Sequence, residues 1–85
     1  MEKAVALRYD ESLPAPVVTA AGRAHVAERI QKVAEEAGVR IVCDPSLADA
    51  LVTLEVGELI PEELYAAVAE LLAFVRRVEG RTRNA

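Results

Sequence analysis

His25 and Cys43 are the single histidine and cysteine of the chain, and two such ligands make at most half of a tetrahedral zinc site. They also fall in different elements, so no metal centre is expected. Cys43 closes an apolar run and reads as a small core residue, whereas His25 opens an amphipathic stretch and reads as a surface or boundary side chain. The two serines, Ser12 and Ser46, sit near prolines in turns, and one histidine would have to activate either of them unaided. A hydrolase is not expected. The carboxylate pairs Glu35-Glu36 and Glu62-Glu63 are sequence neighbours, which on a helix point about 100° apart and cannot converge on one reacting atom. They read as solvated faces. The phrase Val17-Val18-Thr19-Ala20-Ala21-Gly22-Arg23 leads from strand to helix, where helix amides could meet an anion, yet it has one glycine and no phosphate-loop ending. Gly22 is explained more simply as letting a helix start lie close to the sheet.

The elements that must position these residues follow from the apolar spacing. Ala4 to Tyr9 is a short apolar run closed by Asp10-Glu11-Ser12 and by Pro14 and Pro16, which predicts a strand. Pro16 to Ala20, with Val17, Val18 and Thr19, predicts a second. From Ala21 the period lengthens: Val26, Ala27, Ile30, Val33, Ala34 and Ala37 recur at helical spacing, and Gly38 supplies the left-handed stop. Val39 to Cys43 predicts a third strand. Asp44-Pro45 then starts a short helix bearing Leu47, Ala48, Leu51 and Val52, because aspartate accepts from free amides and proline is at home in the first turn. Pro61 opens a last helix with Glu62 and Glu63 at its positive end and a stripe of Leu64, Val68, Leu71, Leu72 and Val75. The expected fold is α/β, a small mixed sheet of about three strands flanked by three helices, in the order β-β-α-β-α-α. One domain over residues 3–79 carries a flexible basic tail, residues 80–85.

Composition narrows the function. The chain has 85 residues, room for one small core, and 53% of them are hydrophobic, too many for a disordered tail. One cysteine forms no internal disulfide, so packing, or packing plus a partner, must hold the fold, in a reducing compartment. Ten Lys and Arg against fourteen Asp and Glu give a net charge of -4, which disfavours nucleic acid. The aromatics are only Tyr9, Tyr65 and Phe74, few for a base-stacking surface or a large ligand cavity. No apolar run is long enough for a membrane span, and Met1-Glu2-Lys3 does not open a secretory signal. Neither a cofactor nor a metal is called for. Residues 55–70 are Glu-rich and residues 76–85 Arg-rich, most simply an acidic helix start and a solvated basic tail.

The run Ala4-Val5-Ala6-Leu7-Arg8-Tyr9-Asp10-Glu11, then Ala15-Pro16-Val17-Val18 with Ala21-Gly22, resembles the cytoplasmic domain of the FlhB/YscU family, the switch proteins of flagellar and type III secretion export. The likeness continues through Ala27-Glu28-Arg29-Ile30 and Asp44-Pro45-Ser46-Leu47-Ala48-Asp49-Ala50-Leu51. It closes with Glu55 to Tyr65 and Ala66 to Val75, so it covers about residues 4 to 75.

The resemblance implies an export-apparatus interaction module in the cytoplasm, peripheral to the gate on the inner membrane. Its implied partners are apparatus proteins and secreted substrates, the latter received on an apolar patch that matches Ala15, Pro16, Ala69 and Leu72. Ala69 and Leu72 share a helix face, and an Ala-Pro pair presents rigid apolar surface; Leu72 also fits the core stripe with Val68 and Val75. The family's transmembrane part and its Asn-Pro-Thr-His self-cleavage motif are not matched, and the one asparagine is Asn84, so no autocatalysis is expected. The family's sheet has a further strand before the cleavage loop. The expected consequence is an open edge that pairs with a membrane-bound homologue or a second copy, in a piece able to substitute for a cleaved carboxyl-terminal fragment. A reading from another class is a free-standing regulatory or small-ligand domain with its site at the turn around Gly22.

Overall fold

The computed structural model describes the backbone of residues 2–84 and the side chains of residues 2–79. Strand β1, Lys3–Arg8, pairs antiparallel with β2, Val17–Arg23, from Lys3 opposite Arg23 to Arg8 opposite Val17. The register shifts between Ala6 and Leu7, where Thr19 is the extra residue, and its hydroxyl donates to the Ala6 carbonyl at 3.2 Å. Thus β2 runs beyond the expected Ala20. Ala20 to Arg23 find backbone partners on β1, and that ladder outweighs the helical preference of two alanines.

Ala24 breaks the strand with φ 52° and ψ -120°, donating its N–H to the Glu2 carbonyl at 2.7 Å. Helix α1, His25–Glu36, follows and ends as expected at Gly38, whose φ is 73°. The Val39 N–H reaches the Ala34 carbonyl and the Gly38 N–H the Glu35 carbonyl, the paired bonds of a Schellman stop. Only part of the predicted apolar stripe is covered. Ala27 is buried and Ile30 and Ala34 half-buried, but Val26 and Val33 are 51% and 64% exposed, because a two-stranded ribbon is too narrow to shelter the whole stripe.

The predicted third strand is not formed. Among the described residues the sheet has two strands, and Val39 to Cys43 passes from α1 to α2 without joining it. Val39 is 58% and Ile41 36% exposed, and Cys43 is an exposed free thiol, not the core residue expected. Both corrections have one cause: among the described residues the segment pairs with no strand, so no ladder holds or covers it.

Asp44 caps helix α2, Pro45–Leu51, accepting from the Leu47 N–H at 3.1 Å, and turns Leu47 and Leu51 into the core. Lys3 of β1 binds Asp49 across that packing at 2.6 Å. Residues 57–60 then run along the start of β2: the Gly57 N–H reaches the Val18 carbonyl, the Val18 N–H that of Glu58, and the Ile60 N–H that of Pro16. After Pro61 a 3-10 turn, Glu62–Leu64, leads into α3, Tyr65–Asn84. The core joins Ala15, Leu47, Leu51, Ile60 and Val68, with Val5, Leu7 and Leu72 packed against it. The expected tail, residues 80–85, lies outside the residues whose side chains are described.

Candidate functional site

The turn after β1 determines how the chain reaches the site. Asp10 accepts from both the Ser12 hydroxyl and the Ser12 N–H, the latter at 2.8 Å, and Leu13 N–H closes the turn on the Asp10 carbonyl. The Ser12 hydroxyl foremost, then its amide, with Arg8 3.7 Å away, hold the Asp10 carboxyl below the usual aspartate range. This turn delivers Pro14-Ala15-Pro16, whose two rings restrict the backbone so that Ala15 and Pro16 both tuck inward and are buried. Pro16 is also the residue whose carbonyl takes the Ile60 N–H at 3.0 Å, which sets Ile60 beside it.

Helix α3 crosses this corner with Tyr65, Val68, Ala69, Leu72, Ala73 and Arg76 on one face, a spacing of three and four residues throughout. Between that face and the Pro14 to Pro16 segment lies an open apolar pocket of about 480 Å³, with Ile60 in its floor and Tyr9 at its edge. The floor is core: Ala15, Ile60 and Val68 are at most 3% exposed. Ala69 is exposed on the wall, and Leu72 does two things, lining the pocket and packing against the core. The helix face and the core stripe, set against each other for Leu72 in the sequence, thus overlap at Val68 and Leu72.

All four residues predicted for the patch, Ala15, Pro16, Ala69 and Leu72, line this one pocket although 53 residues separate Pro16 from Ala69. Sequence reasoning missed Tyr9, Ile60 and the rest of the helix face. The helical period would have found Tyr65, Ala73 and Arg76; nothing local marks Ile60, which arrives through a long-range backbone bond. The lining carries no carboxylate, thiol or imidazole, and Arg76 is its one charge, so the arrangement suits non-covalent recognition of an apolar group.

The remaining chemistry-bearing residues lie apart from it. His25 is 97% exposed at its side chain and stands 3.8 Å from Glu28, while Cys43 is exposed on the segment before α2. Among the described residues no group of three or more His, Cys, Asp or Glu is placed to hold a metal ion. At Gly22 an added Cβ would stand 2.1 Å from Val26 Cγ1, so the glycine permits close approach of β2 and α1, the simpler explanation of that turn. No helix among the described residues is long and apolar enough to cross a membrane.

Comparison with known proteins bears on the fold and the family. Residues 1–75 match the model of the FlhB HrpN YscU SpaS family. YlqH of Bacillus subtilis is 44% identical over 85 residues, covering 99% of this chain and 91% of its own. The flagellar biosynthetic protein FlhB of Buchnera aphidicola from Schizaphis graminum is 47% identical over 95% of this chain, which spans only 22% of that relative. The crystal structure of the cytoplasmic domain of FlhB from Shewanella putrefaciens superposes with a TM-score of 0.93 at 39% identity, covering 98% of this chain and 66% of that one. For the PscU carboxyl-terminal domain the TM-score is 0.83 at 32% identity, over 88% and 98% of the two chains. The α/β fold is therefore shared, and the chain belongs to the FlhB, HrpN, YscU and SpaS family of flagellar and type III export-apparatus switch proteins.

Proposed function

We propose that this chain is a non-catalytic docking module of a flagellar or type III export apparatus, which receives apolar segments of secreted substrates in the pocket between Pro14-Ala15-Pro16 and α3. It works in the cytoplasm, peripheral to the export gate at the inner membrane, and fills the place of the cleaved carboxyl-terminal fragment of a full-length switch protein. The observation that supports this most is the convergence of Ala15, Pro16, Ala69 and Leu72 on a single apolar pocket. Its size suits two or three aliphatic or aromatic side chains, and its floor is part of the packed core, which lowers the entropic cost of association. A strand supplied by a membrane-bound homologue or a second copy pairs with the sheet edge, a reading supported by the exposed Val39 and Ile41 beside a sheet of only two strands.

Ala69→Asp tests the pocket. The residue is exposed, so the fold should survive, while a carboxylate on the wall must be desolvated by any apolar occupant. Titration of amino-terminal segments of export substrates from the same genome should show affinity falling more than about tenfold, with the circular dichroism spectrum unchanged. Unaltered binding by a folded variant would mean that substrates dock elsewhere. No feature of the Gly22 turn favours the small-ligand reading over this one.

A further inference from the structure

The pocket is apolar along its length but electrically unequal at its two ends. Its one charged lining residue, Arg76, sits at the far end of the α3 face. The ion pairs of the described residues are Lys3 with Asp49, Arg8 with Asp10 and His25 with Glu28, so the Arg76 guanidinium has no acidic partner among them. Beyond the opposite end, outside the lining itself, the exposed Glu62 and Glu63 stand on the 3-10 turn just before Tyr65. Eleven residues of helix separate Tyr65 from Arg76, about 16 Å at 1.5 Å per residue, which is the reach of roughly five residues of extended chain.

We infer that the occupant is an extended segment of about five residues, apolar in its middle, that lays a carboxylate against Arg76 and keeps carboxylates away from the Glu62-Glu63 end. The inference rests on the docking reading of the same pocket and adds polarity to it. An apolar groove alone holds a peptide in either direction; one cation at one end and two anions at the other make the two directions unequal. Arg76 is suited to this because its planar fork can grip a carboxylate bidentately while its aliphatic stem continues the apolar wall. The chain is acidic overall, with a net charge of -4, but its residues 76–85 are Arg-rich, so Arg76 belongs to the locally basic stretch of an otherwise acidic sequence.

The test uses the full chain and fluorescent hexapeptides, amino-acetylated and carboxyl-amidated, sharing the core Leu-Val-Ala-Leu and carrying Asp, Asn or Lys at the first or last position. The wild type should bind one Asp peptide about fivefold tighter than its Lys counterpart, a preference that shrinks as salt rises. Arg76→Gln should flatten the ranking and Arg76→Glu invert it, with helix content unchanged. A wild type indifferent to terminal charge, or an Arg76→Glu chain that ranks the peptides as before, overturns the polarity while leaving the pocket intact. Ala69→Asp separates the two: if charge ranking persists at full affinity in that variant, the peptides bind outside the pocket, and if no peptide binds the wild type, both readings fall.

Discussion

Ala24 lies in a backbone region that glycine enters freely and alanine does not, with φ 52° and ψ -120°. It stays there because β2 must end and α1 begin within one residue, and its N–H is held by the Glu2 carbonyl. Such a conformation costs on the order of 1–3 kcal/mol, and glycine gives back about 0.5–1 kcal/mol through its looser unfolded chain. Ala24→Gly should therefore stabilise the protein by about 1 kcal/mol, raising the melting temperature by roughly 4–8 °C in a domain of this size. A calorimetric scan in which the variant melts at or below the wild type would contradict the strain. At this scale the sequence was uneven in what it disclosed. Asp44 as a cap and His25 as a surface residue were legible because each depends on its own neighbours. Cys43 was not, since its burial hinged on a strand that does not form, and Ala24 carries no chemical sign of its backbone.

Between elements, the junction of β2 and α1 depends on Gly22, which leaves room for Val26 Cβ and Cγ1 against the strand. Gly22→Ala forces those atoms apart and should cost about 1–3 kcal/mol in urea unfolding. Val26 is half exposed, so Val26→Ala alone should be mild; its retained Cβ would still lie 2.6 Å from the added methyl, so combining the two should restore only part of the loss. Strictly additive losses would show that the glycine serves something other than this contact. The helices were legible from their periods and caps, and the four patch residues from family resemblance joined to helical spacing. The run of residues 57–60 along β2 was not, because a bridge between Val17 and Leu59, 42 positions apart, leaves no local pattern. That same bridge brings Ile60 to the pocket, which is why the floor of the site was harder to anticipate than its helical wall.

The whole molecule is lightly built. Two strands are few for a stable sheet, and Val26, Val33, Val39 and Ile41 remain exposed around it. With a partner strand paired at the β1 edge, the outward amides of Lys3–Arg8 should exchange slowly, and in the dilute chain alone they should exchange fast. Size exclusion with light scattering and hydrogen exchange across a concentration series measures this. A monomer whose β1 amides are all protected at every concentration would remove the need for a partner strand. The pocket described above has another consequence for a molecule so economical. Its floor is shared with the core, so Ala15, Ile60 and Val68 answer to folding before they answer to any ligand. Its rim, Tyr9, Ala69, Ala73 and Arg76, is exposed and owes little to the core. If the pocket receives apolar segments as proposed, descendants of this chain exchange one set of clients for another through rim substitutions, each nearly free of stability cost, while the apolar floor is inherited unchanged.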